Sequence, residues 1–292
     1  MAERSNAQII IGSAVAVATG AFVSWAGSDG GDRLGTVPVF AICGALAFAI
    51  NWLAFIPAAL TQTERYYDLT GGITYITVTL VAVLLSSNLD LRAALVAAMV
   101  MVWSLRLATF LFRRISRDGK DSRFDDIKNR PPRFFLAWTL QGLWVLLTAA
   151  AALAVITGGM REPLGAVGIA GIVIWFVGIL IEIVADRQKS TFREDPANKG
   201  KFINVGLWAW SRHPNYFGEI VLWTGMAIVA LPVLQGWQWA TLISPVFVAF
   251  LLIKVSGVPM LEEKADKRWG GQNDYEEYKR NTPVLIPKPP AA

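Results

Sequence analysis

Five long apolar runs, near 8–26, 38–60, 91–112, 133–157 and 165–185, decide what this sequence can fold into. Each meets the roughly 17–25 residues a helix needs to cross a hydrocarbon core of about 30 Å. Backbone in hydrocarbon must satisfy its own N–H and C=O groups, which leaves helices or closed barrels. A shorter run at 72–87 reads as a further span. The stretch 218–256 is too long for one crossing and is interrupted by Pro232 and by Gln235-Gly236-Trp237-Gln238, so it reads as a helical hairpin. The expectation is an all-α, polytopic transmembrane bundle of seven or eight helices, most simply eight, forming one integral membrane domain over 1–292. Charged residues make up 17% of the chain, against about a quarter in soluble domains. The first run, preceded by Arg4 and Glu3 and followed by no small-residue cleavage site, reads as a mature span rather than a signal peptide.

Eight crossings put both termini on one side with the loops 61–71, 113–132 and 186–217 and the C-terminal segment 257–292. That side holds 23 lysines and arginines; the other holds Arg33, Arg92 and Arg161. The positive-inside rule then makes both termini and the long loops cytoplasmic. The formal charge of +5 reads as orientation charge rather than a nucleic-acid footprint, because 12 Trp and 15 Phe sit in an apolar chain. The single cysteine, Cys43, can close no intrachain disulfide, and one His with one Cys cannot assemble a usual zinc or iron site. No Gly-x-Gly-x-x-Gly follows a strand pattern, and no Gly-x-Ser-x-Gly elbow is present, so neither a Rossmann cradle nor a serine hydrolase is expected. No protein partner is evident.

Ionisable residues in or beside spans are costly and mark function by default. Glu182, Asp186, Lys189 and Arg193 recur at i, i+4, i+7 and i+11, which places them on one helix face. They can line a polar cavity or form a salt-bridge ladder at the interface. Arg106, Arg113 and Arg117 repeat the pattern, followed by Arg114, Asp121 and Arg123; several can serve simply as membrane anchors. Arg106 lies deeper, and converging guanidinium groups suit phosphate recognition, so an anionic cofactor is preferred to topology alone. The densest polar signal is Gly206–Glu219, which carries the only histidine, His213. Pro214 breaks the chain there and Gly218 permits close backbone approach, so Arg212, His213, Asn215, Tyr216 and Glu219 can gather at one membrane mouth.

The run Arg212-His-Pro-Asn-Tyr-Phe-Gly-Glu219, preceded by Glu182-Ile-Val-Ala-Asp-Arg-Gln-Lys189, resembles the steroid 5α-reductase family, in its bacterial branch. The likeness extends from about Glu64 to Pro287 and includes Trp103-Ser-Leu-Arg-Leu, Asp121-Ser-Arg-Phe-Asp and the C-terminal Tyr-Glu-Glu-Tyr. The Arg-His-Pro element is shared with membrane isoprenylcysteine carboxyl methyltransferases, which use S-adenosylmethionine. The wider context favours the reductase.

This resemblance implies a helical bundle in the bacterial inner membrane. It would bind NADPH on the cytoplasmic side and take a hydrophobic steroid or lipid enone from the bilayer. Arg106, Arg114 and Arg117, with Asp121 and Arg123 beyond them, fall in the family's cofactor-contacting segment. Glu182, Asp186 and Arg193 fall on its polar helix face, and Asn204, Arg212, His213, Asn215, Tyr216 and Glu219 on its signature loop and following helix. Asp68 aligns with a substrate-binding glutamate, and Trp103 stands where a tyrosine is expected; its indole N–H can donate a hydrogen bond but not readily a proton. Tyr66, Tyr67 or Tyr75 can compensate alongside Asp68, with Tyr67 ranked first. Trp52, Phe55 and Trp103 are the candidate substrate contacts.

Overall fold

The computed structural model describes residues 6–118 and 121–290, the side chains of 113–118 and 122 excepted. It is almost wholly helical, with eight segments long and apolar enough to cross a membrane. The helices are α1 (Asn6–Gly27), α2 (Val39–Leu60), α3 (Tyr67–Leu85), α4 (Leu91–Asp118), α5 (Pro131–Thr157), α6 (Ala166–Glu194), α7 (Pro214–Ala230), α8 (Ile243–Phe250), α9 (Val258–Trp269) and α10 (Asn273–Asn281). The described strands are β1 (Arg33–Leu34) and β2 (Val37–Pro38), a two-residue antiparallel pair between α1 and α2. The eight-span expectation is met, including the hairpin after α7. There Pro232 ends the seventh crossing in a 3₁₀ turn, and the eighth runs as 3₁₀ (Gly236–Leu242), α8, a π turn (Leu251–Val255) and α9. The short run expected at 72–87 gains its length at the front: α3 begins at Tyr67.

The chain divides into two compact units, residues 1–168 with 229–244 and residues 169–228 with 245–292. In the first unit α5 is the axis: 89% of its most apolar window is buried, against 33–39% for α1 to α4. Its Ala149-Ala150-Ala151-Ala152 run is fully covered, the small side chains letting neighbouring helices close in. Several polar groups within the spans bond one helical turn back along the chain. Thr74 Oγ1 donates to the carbonyl of Thr70 at 2.7 Å, and Asn51 Nδ2 donates to the carbonyl of Ala47 at 2.8 Å. Arg92, 2% exposed, donates to the carbonyls of Val229 and Pro163. At one end of this unit Asp32 accepts from Ser86 Oγ at 2.8 Å and from the backbone N–H of Ser87 at 3.1 Å. Burial alone would raise the Asp32 carboxyl, but the bonds from Ser87 and Ser86, with Arg161 nearby, outweigh it and hold it below its ordinary value.

In the second unit α6 and α7 touch backbone to backbone. A Cβ on Gly218 would stand 2.7 Å from the Glu182 nitrogen and the Gly178 carbonyl oxygen, and one on Gly225 would stand 2.5 Å from the Trp175 nitrogen. The close approach expected of Gly218 is realised, and it lays the polar end of α6 along the start of α7.

Candidate active site

The second unit contains a cavity of about 280 Å³ at the C-terminal end of α6. Its floor is the loop before α7. Gly206, at φ +61°, turns the chain where a side chain would strike Gln188, whose Oε1 accepts from the Leu207 N–H at 2.9 Å. Trp208 is thereby buried: its Nε1 donates to the Ala185 carbonyl at 3.0 Å, and Lys189 Nζ lies 4.4 Å from its ring centre. The chain beyond α10 straps this loop from outside. Arg212 N–H donates to the Pro283 carbonyl at 2.9 Å, Ser211 Oγ to that of Leu285 at 2.8 Å, and Lys288 N–H to that of Trp210 at 2.9 Å. Tyr278 Oη donates to the Trp208 carbonyl at 2.7 Å.

At the cavity edge a single carboxylate holds two signature residues. Glu262 Oε2 lies 2.8 Å from Arg212 Nη1, and Oε1 lies 2.8 Å from His213 Nε2, which carries the donated proton when the carboxylate is charged. The His213 ring stacks on Tyr216 at 5.6 Å and 9°, and its Nδ1 is buried with no hydrogen-bond partner among the described residues. Burial pushes the imidazole below its ordinary value although Glu262 pulls the other way, so His213 is neutral at pH 7. Lys189, Arg193, Lys201, Arg212, Lys264 and Arg268 line the cavity with Glu262 as the one carboxylate among the described lining residues. Phe202, Tyr275 and Tyr278 form an aromatic wall, with Phe202 5.3 Å from each tyrosine ring. Clustered cations beside aromatic faces are the donor set for a phosphorylated, ring-bearing ligand, and 280 Å³ is near the lower limit for a ligand pocket, enough for part of a dinucleotide.

The sequence expectations separate on this geometry. Arg193, Arg212 and His213 line the cavity and Tyr216 lies against His213. Glu182 and Asp186 are buried beneath it on α6, with Asp186 Oδ1 accepting from Asn215 Nδ2 at 3.2 Å. Asn204 is exposed and Glu219 half-buried; neither lines the cavity. Glu262, Tyr275 and Tyr278 are hidden in the sequence because the segment after 257 reads as a charged appendage, although its Tyr-Glu-Glu-Tyr spacing is a usable signal; Phe202, in the loop after α6, carries no local mark.

The remaining expected residues belong to the first unit. Arg106 is half-buried on α4, and the Arg114 and Arg117 side chains lie outside the described residues. Asp121 and Arg123 are brought together with Asp68, but bonded to one another: Arg123 Nε donates to Asp121 Oδ2 at 2.7 Å, and its Nη2 lies 3.1 Å from both Asp68 oxygens. The same loop is held by Glu64, which accepts from Asp121 N–H and from Lys128 Nζ, both at 3.0 Å. Burial would raise the Glu64 carboxyl, but these two donors outweigh it and lower it. Asp68 thus serves as the acceptor of an ion pair, whereas the acid role needs a neutral carboxyl that would forfeit that pair. Tyr67 Oη donates to the Ala137 carbonyl at 2.9 Å within a cluster containing Phe124 and Trp138. Phe55 packs edge-on against Phe134 and Phe135, and Trp103, 1% exposed, stands edge-on to Tyr75 at 5.0 Å. Trp52 lines a separate groove between α1 and α2.

A family described as "Protein of unknown function (DUF1295)" matches residues 54–282. Among curated proteins, a probable O-methyltransferase of Ustilaginoidea virens is 31% identical over 134 residues, 44% of this chain and 43% of that one. A 3-oxo-5-alpha-steroid 4-dehydrogenase 1 of Bos taurus is 34% identical over 70 residues, 24% of this chain and 27% of that one. A steroid 5-alpha-reductase of Arabidopsis thaliana is 27% identical over 119 residues, 40% of each chain. The chain spans less than half the length of these relatives, and no solved structure matches. The matched segment takes in the whole loop from Gly206 to His213, the α6–α7 contact and the Glu262 and Tyr278 anchors, and on that extent the chain belongs to the DUF1295 family, with steroid 5α-reductases among its relatives.

Proposed function

We propose that this integral membrane protein is an NADPH-dependent reductase of a hydrophobic enone, most simply a 3-oxo-Δ4 steroid converted to its 5α-reduced product. The observation that carries the reading is the cavity under the signature loop, where six cationic side chains face one carboxylate beside an aromatic wall, in a chain related to steroid 5α-reductases. NADPH, when bound, supplies the hydride that goes to the β-carbon of the enone. Arg193, Lys201, Lys264 and Arg268 neutralise phosphate charge, and the half-buried Phe202 offers a ring face to a base. Glu262 fixes Arg212 and His213, leaving the His213 Nδ1 as an acceptor for an amide or hydroxyl donor.

As the β-carbon gains hydride the substrate carbonyl gathers negative charge, so a donor has to meet it. Tyr67 is assigned that role over Asp68: its hydroxyl hydrogen can turn from the Ala137 carbonyl to another acceptor, while the Asp68 carboxylate accepts from Arg123. We further propose a bacterial inner-membrane location with both termini cytoplasmic, the arrangement the lysine and arginine bias favours.

A second reading, methyl transfer from S-adenosylmethionine, is favoured by the match to the probable O-methyltransferase. That cofactor has no phosphate for the cationic lining to recognise. Thermal unfolding of the detergent-purified protein with NADPH, NADH and S-adenosylmethionine in parallel separates the two. A ligand at about 100 times its Kd adds about 2.7 kcal/mol to the native state. The expected result is a shift with NADPH that Arg193→Ala or Arg268→Ala removes. A shift with S-adenosylmethionine alone would transfer the assignment to the methyltransferase.

A further inference from the structure

The first unit holds a second cavity, of about 670 Å³, between α1 and α2. Most of it lies outside the family segment that begins at residue 54. The two helices interlock where a side chain at Gly20 would strike the Phe48 ring and one at Gly44 would strike the Ser24 hydroxyl. Beside this contact Val17, Ala21 and Trp25 follow one another along an exposed face of α1, opposite Ala41 and Ala45 of α2. Aromatic pairs close both ends: Trp25 on Trp237 at 5.2 Å, and Phe48 on Trp52 at 5.6 Å, with Trp52 Nε1 fixed by Thr139 Oγ1 at 3.1 Å.

The dimensions and the charge at the mouth identify an occupant. From Val17 to Gly27, where α1 ends, the helix rises about 15 Å, the depth of one hydrocarbon leaflet. The groove is bordered by spans and lined almost wholly by apolar surface, so it faces acyl chains rather than water. At its polar end the exposed Asp29 accepts from the Trp237 backbone N–H at 2.8 Å. Arg33 is exposed there, with Nη1 on the Thr36 carbonyl at 2.9 Å and its other donors unpartnered among the described residues. An arginine at the depth of the headgroups, above an apolar slot one leaflet long, suits a phosphate attached to a hydrocarbon chain.

We propose that this groove holds one acyl chain of a bilayer phospholipid, with the lipid phosphate at Arg33. The site shares no residue with the cationic cavity or with the proposed proton donor; Trp52, an expected substrate contact, is the one residue common to both readings, and competition with a steroid separates them.

The test is native mass spectrometry of the full chain, released from vesicles of equimolar phosphatidylglycerol and phosphatidylcholine. The wild type is expected to carry one phospholipid. Ala45→Trp, which fills the slot from an exposed position, is expected to lose that adduct while keeping its helical circular dichroism; Ala21→Phe serves if the first variant fails to fold. Arg33→Ala is expected to lower phosphatidylglycerol occupancy about tenfold, the loss of one charge-assisted hydrogen bond. A bare wild-type chain, equal occupancy in the filled variant, a second copy of the chain in place of lipid, or displacement of the lipid by progesterone mole for mole would each overturn the proposal.

Discussion

Glu262 holds Arg212 and His213 from one side chain, so the signature loop depends on a residue 49 positions further along the chain. Glu262→Gln is expected to cost about 1–3 kcal/mol, the range for stranding a partly buried charged partner, and to weaken NADPH binding; Glu263→Gln, on the exposed side of the same helix, is the control. The sign of the His213 shift fixes a pH dependence. Its native value lies below the ordinary 6.5, so its contribution to stability is complete above that value. That contribution falls away as pH drops through the lowered native one, because the unfolded chain takes up the proton first. Unfolding curves between pH 7.5 and 5 are expected to show this loss in the wild type and a flatter profile in His213→Gln. In the other unit, Asp68→Asn is expected to leave turnover within about twofold and to cost up to about 1 kcal/mol from the Arg123 pair. Tyr67→Phe is expected to lower kcat by about 10²–10⁴, the usual worth of a general acid. Kinetics of the two variants side by side decide between them, and a collapse of kcat in Asp68→Asn with normal rates in Tyr67→Phe would reverse the assignment.

At the scale of elements, the α6–α7 contact sets the register of the polar stripe. Its tightest neighbours are backbone atoms that cannot rotate away, so Gly218→Ala is expected to lose roughly 1–3 kcal/mol, as overpacked sites do. Gly165, with nothing within 4 Å of its added Cβ, should accept the same change freely. Thermal unfolding of the two variants checks this. The spans were legible because membrane helices advertise themselves in the run length of apolar residues, and Pro232 marked the hairpin. The stripe Glu182, Asp186, Lys189 and Arg193 was legible from helical spacing. The strap beyond α10 was not, because it meets Trp210 and Arg212 through backbone hydrogen bonds that leave no mark in side-chain identity, and Ser211 through its hydroxyl alone.

For the whole molecule, sequence pattern read topology better than chemistry. Long-range pairs such as Arg123 with Asp68 and His213 with Glu262 join residues about fifty positions apart, and no local periodicity announces them. Hence Asp68, Asp121 and Arg123 were gathered as site residues from separate motifs, yet in the fold they answer one another. The aromatic residues carry a related ambiguity: in a chain with 12 Trp and 15 Phe, ring content distinguishes a packed core from a ligand site poorly. Phe55 and Trp103 went into the core and Trp52 to the α1–α2 groove.

The central claim, hydride transfer to a membrane enone, is tested most directly by incubating the full-length protein in vesicles with 4-deuterated NADPH, each stereoisomer in turn, and a 3-oxo-Δ4 steroid. The account predicts a 5α-reduced product carrying one deuterium at the β-carbon from one of the two isomers, and little product from Arg193→Ala. Absence of label and product in both, together with methyl transfer from S-adenosylmethionine by the same preparation, would contradict it.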